Sequence, residues 1–262
     1  VDYADNEALF SNVSIVGGVN YFLWDSSYNG DCEVTSIRGE NAVTLNRDLS
    51  EYDIFIRNNN ALQLIRRMEA SNDRKMDDVV YPRNVFGISS DSRGQDNKDE
   101  KHQLALFSSQ KSNSMAMSYI SGDEVQKQHE LIGKYKVIMG KVVPRGGEVG
   151  VDPSVGYRVT STLQVLSPGS VFTDSYLLLA AFDSKAEALH FAEYMCLRFP
   201  RFLLHETYSS MNISKQNFRF VPFLDYSKEW TDEELFKRYG CNEEEISMIE
   251  SIIRPMEYVF HE

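Results

Sequence analysis

The sequence predicts an α+β fold, with a mixed, mostly antiparallel twisted sheet, flanking helices and an acidic helical C-terminal tail. Short segments of β-branched and aromatic residues lie between Gly, Pro and Asn positions, which is typical of strands and their turns. Helical patterns cluster toward the C-terminus and do not alternate regularly with strands, which argues against a doubly wound parallel sheet.

The first part of the chain predicts three strands and a helix. Residues 13–24 form two strands around a Gly-Gly bend. Residues 28–31 contain Asn-Gly, a strong hairpin signal, and residues 32–37 form the returning strand. Asn60 caps a helix whose apolar residues share one face, namely Leu62, Leu64, Ile65 and Met68.

The middle of the chain predicts a long polar loop, a helix and several strands. The loop spans residues 89–114 and contains one strand at 104–107. The helix spans residues 123–132 and ends before Gly133. The remaining strands are predicted at residues 135–143, 157–166 and 171–182.

The last third of the chain predicts four helices and a strand. The first helix begins at Ser184, with Glu187 in a capping box, and Pro200 ends or kinks it. A second helix covers residues 202–208, and a strand follows at 218–223. Two acidic helices begin at capping boxes, Thr231 with Glu234 and Asn242 with Glu245.

Charge and composition limit the possible partners. The net charge is −12, but a mildly basic middle lies between acidic ends, which permits an anionic partner there. No apolar run approaches the roughly 20 residues of a membrane helix, and no signal peptide is visible. The three cysteines are widely spaced and odd in number, which argues against disulfides and a zinc site. We therefore expect a cytoplasmic protein without membrane contact.

Motifs for catalysis are missing from the sequence. No phosphate-binding loop, GxGxxG, HExxH or GxSxG pattern occurs, and the five histidines have no metal-ligand spacing. Acidic residues at the helix starts suit the helix macrodipole without any catalytic role. We therefore expect no complete catalytic site and no cofactor in this chain, and a binding role within something larger.

Two polar segments are candidates for binding DNA. Residues 209–217 offer hydroxyls, amides and a lysine, and such groups can read adenine edges or hold phosphates. A capped helix start at Asn212 or Ser214 is the alternative, and spacing alone favours it over DNA contact. Residues 144–147 offer Arg145 and backbone N–H groups to a phosphate, with a mobile turn as the alternative.

Several segments resemble, in the same order, one enzyme family. Residues 10–25 (FSNVSIVGGVNYFLWD) and 28–32 (YNGDC) look like the end of the methylase domain in adenine-specific type II restriction-modification enzymes. In these enzymes endonuclease, methylase and specificity functions are often fused. The resemblance continues at residues 53–57 (DIFIR), 134–138 (KYKVI), 173–176 (TDSY) and 230–235 (WTDEEL). Residues 209–215 (SSMNISK) with 220–222 (FVP) are also similar to the close of recognition domains in type I specificity subunits.

The resemblance implies a C-terminal target recognition region. The family's Asn-Pro-Pro-Tyr/Phe motif and its glycine-rich methyl-donor motif are absent, and no nuclease constellation stands out. Residues 1–60 would be the end of the methylase domain and a connector, 61–225 the recognition domain and 226–262 the acidic tail. The implied function is sequence-specific binding of double-stranded DNA, which positions an adenine for the missing methylase. S-adenosylmethionine and Mg²⁺ would bind only in the full-length enzyme.

Ten residues are the predicted DNA contacts. Lys141, Arg145 and Arg158 would contact phosphates or guanine. Ser209, Ser210, Asn212 and Lys215 would line the major-groove side, and Tyr81, Arg83 and Asn84 would face DNA from the start of the recognition half. A protein-interaction domain that uses the acidic tail remains the main alternative, and an enzyme of unrecognised type is a second.

Overall fold

The computed structural model describes residues 1–4, 9–10, 18–109, 118–142, 156–161, 163–208 and 212–258. Within these residues, helices accompany mixed and antiparallel sheets, so the predicted α+β class is confirmed. The strands do not form one sheet, however. They form three small ones, because the long predicted strands are divided between different neighbours.

The N-terminal sheet is formed by residues 2–47, whereas the other two sheets interleave in the chain, because Ser170–Phe172 of the third sheet lies between two strands of the central one. The N-terminal sheet has the order β2-β1-β3-β4, from β1 (Asp2–Tyr3), β2 (Val19–Asn20), β3 (Cys32–Arg38) and β4 (Asn41–Arg47). The central sheet has the order β10-β7-β8, from β7 (Tyr135–Gly140), β8 (Leu163–Leu166) and β10 (Tyr176–Phe182). The third has the order β6-β5-β9, from β5 (Leu104–Phe107), β6 (Ser118–Ile120) and β9 (Ser170–Phe172). All pairs except β1–β3 and β5–β9 are antiparallel.

One helix packs directly on the central sheet, and it is the second of the five described; the third contacts the fourth and the fifth. Their bounds are α1 (Leu62–Ala70), α2 (Lys185–Tyr194), α3 (Arg198–His205), α4 (Asp232–Arg238) and α5 (Glu243–Ile252). The predicted apolar face of α1 is buried, as expected. Its predicted cap is wrong, because Asn58 caps a short 3₁₀ turn, Asn59–Ala61, that leads into the helix.

The N-terminal hairpin differs from its prediction. The predicted strand at residues 32–37 is present as β3. Its antiparallel partner is β4, which was not predicted from the sequence. The hairpin turn lies at Gly39, which has a left-handed φ of 57°, and not at Asn29-Gly30. Of the strands predicted at residues 13–24, only Val19–Asn20 is paired, and residues 11–17 lie outside the described residues.

Three predictions in the middle of the chain are wrong. The helix predicted at residues 123–132 is two 3₁₀ turns, Gly122–Glu124 and His129–Leu131, because Gln128 has a left-handed φ of 52° between them. The strand predicted at residues 157–166 is reduced to β8, since Val159 has a φ of 70°. The strand predicted at residues 171–182 is two strands, because β9 pairs with β5 whereas β10 pairs with β7.

Two further predictions near α3 are corrected. Pro200 does not end a helix; it lies in the first turn of α3, where its missing N–H has no helical partner to lose. The Asp232 carboxylate caps this helix by accepting hydrogen bonds from the backbone N–H groups of Arg198 and Phe199. Residues 218–223 form no strand, because Lys215–Phe218 is a 3₁₀ turn and only Pro222 makes an isolated bridge, with Lys75.

The central sheet is buried on both faces. Side chains alternate along β7, so that Val137 and Met139 join the larger apolar core whereas Ile138 joins a smaller one. Burial on both faces explains why the strands of this sheet consist mostly of apolar residues.

The acidic C-terminal helices also contribute to the larger core. Both begin with the predicted capping boxes. Leu235, Phe236 and Ile249 pack in the same cluster as α1. Glu245 is buried and accepts a hydrogen bond from Arg67 of α1 at 2.6 Å. Glu233 and Glu244, in the first turns of α4 and α5, are exposed.

Candidate nucleic-acid interface

A concave surface with a volume of about 660 Å³ lies beside the C-terminal half of β10. Tyr81 and Lys215, which were predicted as DNA contacts from opposite ends of the recognition half, both line it. Its lining includes residues 78–82, Ala180 to Phe182, Lys215 and Phe223. Tertiary structure therefore brings together two predicted residues that are far apart in the chain.

Backbone hydrogen bonds position both of these residues. The backbone N–H of Tyr81 donates to the carbonyl of Leu178 at 3.0 Å, which holds its segment against β10. Lys215 begins a 3₁₀ turn for which Ser214 is the N-cap, and the Ser214 N–H donates to the Asn217 carboxamide at 2.8 Å. The capped-turn explanation of this polar segment is thus correct for its backbone, and it leaves the Lys215 side chain available on the concave surface.

Two cations and one carboxylate line the concave surface. The Lys215 ammonium makes no ion pair with any residue that the structure describes. Arg74 lies 5.8 Å over the Phe223 ring, and its guanidinium donates to the backbone carbonyl of Asp78 at 3.4 Å. Because Asp78 also lines the surface, the local charge is only weakly positive. Arg74 and Phe223 were not predicted, since neither lies in a recognisable motif.

Two amide residues near the concave surface have strained backbones. Asn84 has a φ of 56° and Gln128 a φ of 52°, and a left-handed φ is uncommon outside glycine. The Gln126 N–H donates to the Phe86 carbonyl at 2.9 Å, which joins the two loops. The Asn84 Oδ1 atom is buried without a hydrogen-bond partner among the described residues. Such strain is frequent at binding sites, so Asn84 and Gln128 are candidate binding residues.

Lys141 and Asn212 form a second group of predicted contacts, near the N-terminal end of β10. Val142 and Asn212 form an isolated bridge, and the Ile213 N–H donates to the Lys141 carbonyl at 2.9 Å. The Lys141 ammonium lies 2.8 Å from Asp174, and its side chain is 12% exposed. Its charge is therefore partly neutralised within the protein, whereas Asn212 is exposed.

The other predicted contacts are distributed differently. Arg83 is exposed and adjoins the concave surface through Pro82. Arg158 is exposed but follows Tyr157, which lines a separate cleft beside α5. Arg145, Ser209 and Ser210 lie outside the described residues.

No arrangement suited to a metal ion occurs in the described part of the chain, where no three His, Cys, Asp or Glu side chains converge. Over those same residues, no helix has the length and apolar character needed to cross a membrane. No known protein-family model matches the sequence, and no curated protein is significantly similar to it.

Proposed function

We propose that this chain is the target recognition region of an adenine-specific restriction-modification enzyme and binds double-stranded DNA in a sequence-specific manner. The observation that carries this proposal is the concave surface. It is lined by two cations, Lys215 and Arg74, by the aromatic ring of Tyr81 and by the amide of Gln128. Cations position a protein on phosphates and amides read base edges, which suits a recognition surface.

Lys141 and Asn212 extend this proposed interface. In the proposal Asn212 offers its amide to bases, whereas the buried Oδ1 atom of Asn84 does not. Lys141 contacts phosphate only by exchanging its ion pair with Asp174, so we assign it a smaller share of affinity than Lys215. Arg83 lies beside the concave surface and would add a phosphate contact.

An exposed apolar surface on the N-terminal part supports the role of a module within a larger enzyme. Among the described residues, the exposed large apolar side chains lie almost all at positions 9–55, with Val142 as the exception. Tyr21, Phe22, Leu23 and Trp24 are consecutive, and the Leu23 side chain is 95% exposed. An apolar patch of this kind is typical of a protein contact site. We propose that the rest of the methylase domain packs here.

The methyl donor and Mg²⁺ belong, in this proposal, to that methylase and to a nuclease outside this chain. The recognition region itself contributes orientation on DNA, while base flipping and methyl transfer occur elsewhere. A cytoplasmic location follows from this role.

Selection from randomised duplex DNA tests the proposed function directly. The chain is incubated at low salt with a pool of duplexes that carry a randomised core, and the retained DNA is sequenced. We expect enrichment of a short motif and affinity that falls steeply with salt, because phosphate contacts release counterions. Retention without any enriched motif at low salt would contradict sequence-specific recognition.

Removal of the Lys215 charge gives a residue-level prediction. We expect Lys215→Gln to weaken duplex binding about three- to tenfold and to reduce the slope of log affinity against log salt by about one. Lys237→Gln is the matched control, because Lys237 is an exposed lysine in the last turn of α4, outside the concave surface. Equal losses in both variants would mean that only overall charge matters and would exclude this surface as the interface.

A protein-interaction role remains the alternative function, and the exposed aromatic segment at residues 21–24 is the observation that favours it. If protein contact were the whole function, the duplex selection would enrich nothing while Trp24→Ala would abolish association with the partner.

A further inference from the structure

The N-terminal sheet ends on one side in a long strand with an open edge. β4 pairs only with β3 among the described strands, and their seven residue pairs have no register shift. Most of the strand is exposed, namely Asn41, Ala42, Thr44, Leu45 and Asn46. Its outer edge therefore presents backbone N–H and C=O groups to solvent, and such groups pair readily with another strand.

The edges of the other two sheets are covered by neighbouring segments. On β10, which also contains a register shift, the Leu178 carbonyl accepts a hydrogen bond from the Tyr81 N–H at 3.0 Å. On β8, the Val165 N–H donates to the Tyr258 hydroxyl at 3.1 Å. β6 forms an isolated bridge with Gln95. Among the described residues, no comparable segment covers the outer edge of β4.

β4 also lacks the residues that usually protect an edge strand. Its sequence, NAVTLNR, contains no lysine, no proline and a single charge. That charge belongs to Arg47, which is 4% exposed and donates from Nη1 to the Ile56 carbonyl at 2.7 Å, so it points into the protein. Natural edge strands are commonly protected by lysine, proline, a bulge or a covering segment. A long strand without these features indicates that another strand pairs with its edge.

The hairpin that carries this edge is held in a fixed position. The Asn59 carboxamide donates to the carbonyls of Val34 in β3 and Val43 in β4, both at 2.8 Å. On the opposite face of the hairpin, the hydroxyls of Thr35 and Thr44 lie 2.8 Å apart. Because both strands are already ordered, the addition of a further strand to the edge costs little additional ordering of this hairpin.

The sequence of β4 is complementary to a second copy of itself. An antiparallel pair with a two-fold axis at Thr44 places Val43 opposite Leu45 of the second copy. Ala42 then lies opposite Asn46, and the two Thr44 side chains lie opposite each other. Leu45 is 40% exposed in the single chain, so this pairing covers apolar surface on both copies. No two charged residues of the strands are placed opposite each other.

We propose that two copies of this chain associate by antiparallel pairing of their β4 strands, which joins the two N-terminal sheets into one continuous sheet. A charged strand gains nothing from this neutral edge, whereas a second β4 matches it along its length. β2, which precedes the exposed segment at residues 21–24, is the opposite edge of the same sheet. The pairing therefore does not compete with a different protein at that segment, and it does not depend on the DNA-binding proposal.

Sedimentation of the whole chain over a series of concentrations tests the proposal. One pair of strands buries less area than a standard interface, so we expect a weak dimer with a dissociation constant of roughly ten to several hundred micromolar. A chain that remains a monomer up to about 1 mM would overturn the proposal.

Opposite charges at Thr44 locate the two-fold axis. We expect Thr44→Lys and Thr44→Glu each to weaken self-association at least about tenfold, because two like charges then face each other at about 5 Å. An equimolar mixture of the two variants should restore the dimer, since a lysine then lies opposite a glutamate. Thr44 is exposed, so both variants should fold, and circular dichroism checks this. Two folded variants that do not associate with each other would contradict an axis at Thr44.

Ser26→Lys and Ser26→Glu are the matched control variants. Ser26 is exposed and lies outside β4, so the same changes of charge there should leave the dissociation constant of the dimer unchanged. An equal loss of self-association in these variants would assign the effect to net charge and contradict the proposed pairing.

Hydrogen exchange at low and high protein concentration identifies the strand that pairs. We expect amide exchange in β4 (Asn41–Arg47) to become slower as the dimer forms, since strand pairing protects backbone N–H groups. Exchange in α4 (Asp232–Arg238) should not depend on concentration. Protection that appears with concentration only outside β4 would assign the dimer to another surface and refute the proposal.

Discussion

Arg201→Met is expected to lower the free energy of unfolding by about 3–5 kcal/mol. Arg201 is fully buried in α3, and its guanidinium donates to four backbone carbonyls. Two of these carbonyls, at Cys196 and Leu197, lie just before α3, and the other two belong to Arg158 and Arg254. Methionine keeps the apolar stem but leaves four buried acceptors without their donor.

The expected loss reflects where those carbonyls lie in the chain. Arg201 connects the end of α2, the segment before β8 and the residues after α5 through a single side chain. Burial lowers the pKa of the guanidinium to about 10, so it remains charged at neutral pH. Hydrogen bonds from a charged donor in a buried site are stronger than neutral ones, which is why one side chain has so large an effect.

Urea unfolding monitored by circular dichroism measures this effect. Arg66→Met is the matched control, because Arg66 is 44% exposed and forms an ion pair with Glu51 at 2.6 Å on the surface of α1. A surface ion pair contributes at most about 1 kcal/mol, so the control should lose little. Losses of similar size in the two variants would mean that the four carbonyls find other partners.

The second large effect concerns pH and the buried Lys136 in β7. We expect the stability of the wild-type protein, relative to Lys136→Met, to increase by up to about 3 kcal/mol as pH rises through the interval between the folded and unfolded pKa values. The Lys136 side chain is fully buried, and its ammonium donates to backbone carbonyls that include Lys134 at 2.6 Å and Leu131 at 3.1 Å. No carboxylate pairs with it among the described residues.

The sign follows from the direction of the pKa shift. Burial lowers the pKa of the Lys136 ammonium from 10.5 to about 8. Between these values the folded protein has released its proton while the unfolded chain still holds one, so unfolding takes up a proton. Stability therefore rises with pH across this interval, and the contribution is lost as pH falls through the folded-state pKa.

Chemical unfolding at several pH values from 7 to 10.5 provides the measurement, with the variant subtracted at each point. Lys134→Met is the matched control, since Lys134 lies two residues away but is paired with Asp183 at 2.6 Å near the surface. For this control the stability difference from wild type should change little with pH. A constant difference for Lys136→Met as well would show that the backbone carbonyls fully compensate the cost of burying the charge.

The two concavities have opposite local charge and use different parts of the chain. The surface beside β10 offers Lys215 and Arg74, whereas the cleft beside α5 offers Glu40, Glu243 and Glu244.

The sequence predicted those elements whose signals are local. The capping boxes at Thr231 and Asn242 lie within one turn of the helices that they begin, and both are present. The apolar face of α1 follows from its spacing alone, and the α+β class follows from the distribution of such segments. Local hydrogen bonds and side-chain periodicity carry this information, so no knowledge of the rest of the fold is needed.

Only the tertiary structure decided which strands pair and which distant residues come together. Residues 171–182 were predicted as one strand, but they divide at the polar segment Thr173–Ser175, and their two halves pair with different strands. Pro200 lies within a helix because Asp232, from another helix, caps its first turn. Tyr81 and Lys215 line one concave surface because the turn at Lys215–Phe218 packs against the segment at Met76–Asp78, just before Tyr81. Each outcome depends on pairing and burial between segments far apart in the chain, and neither propensity nor spacing contains that information.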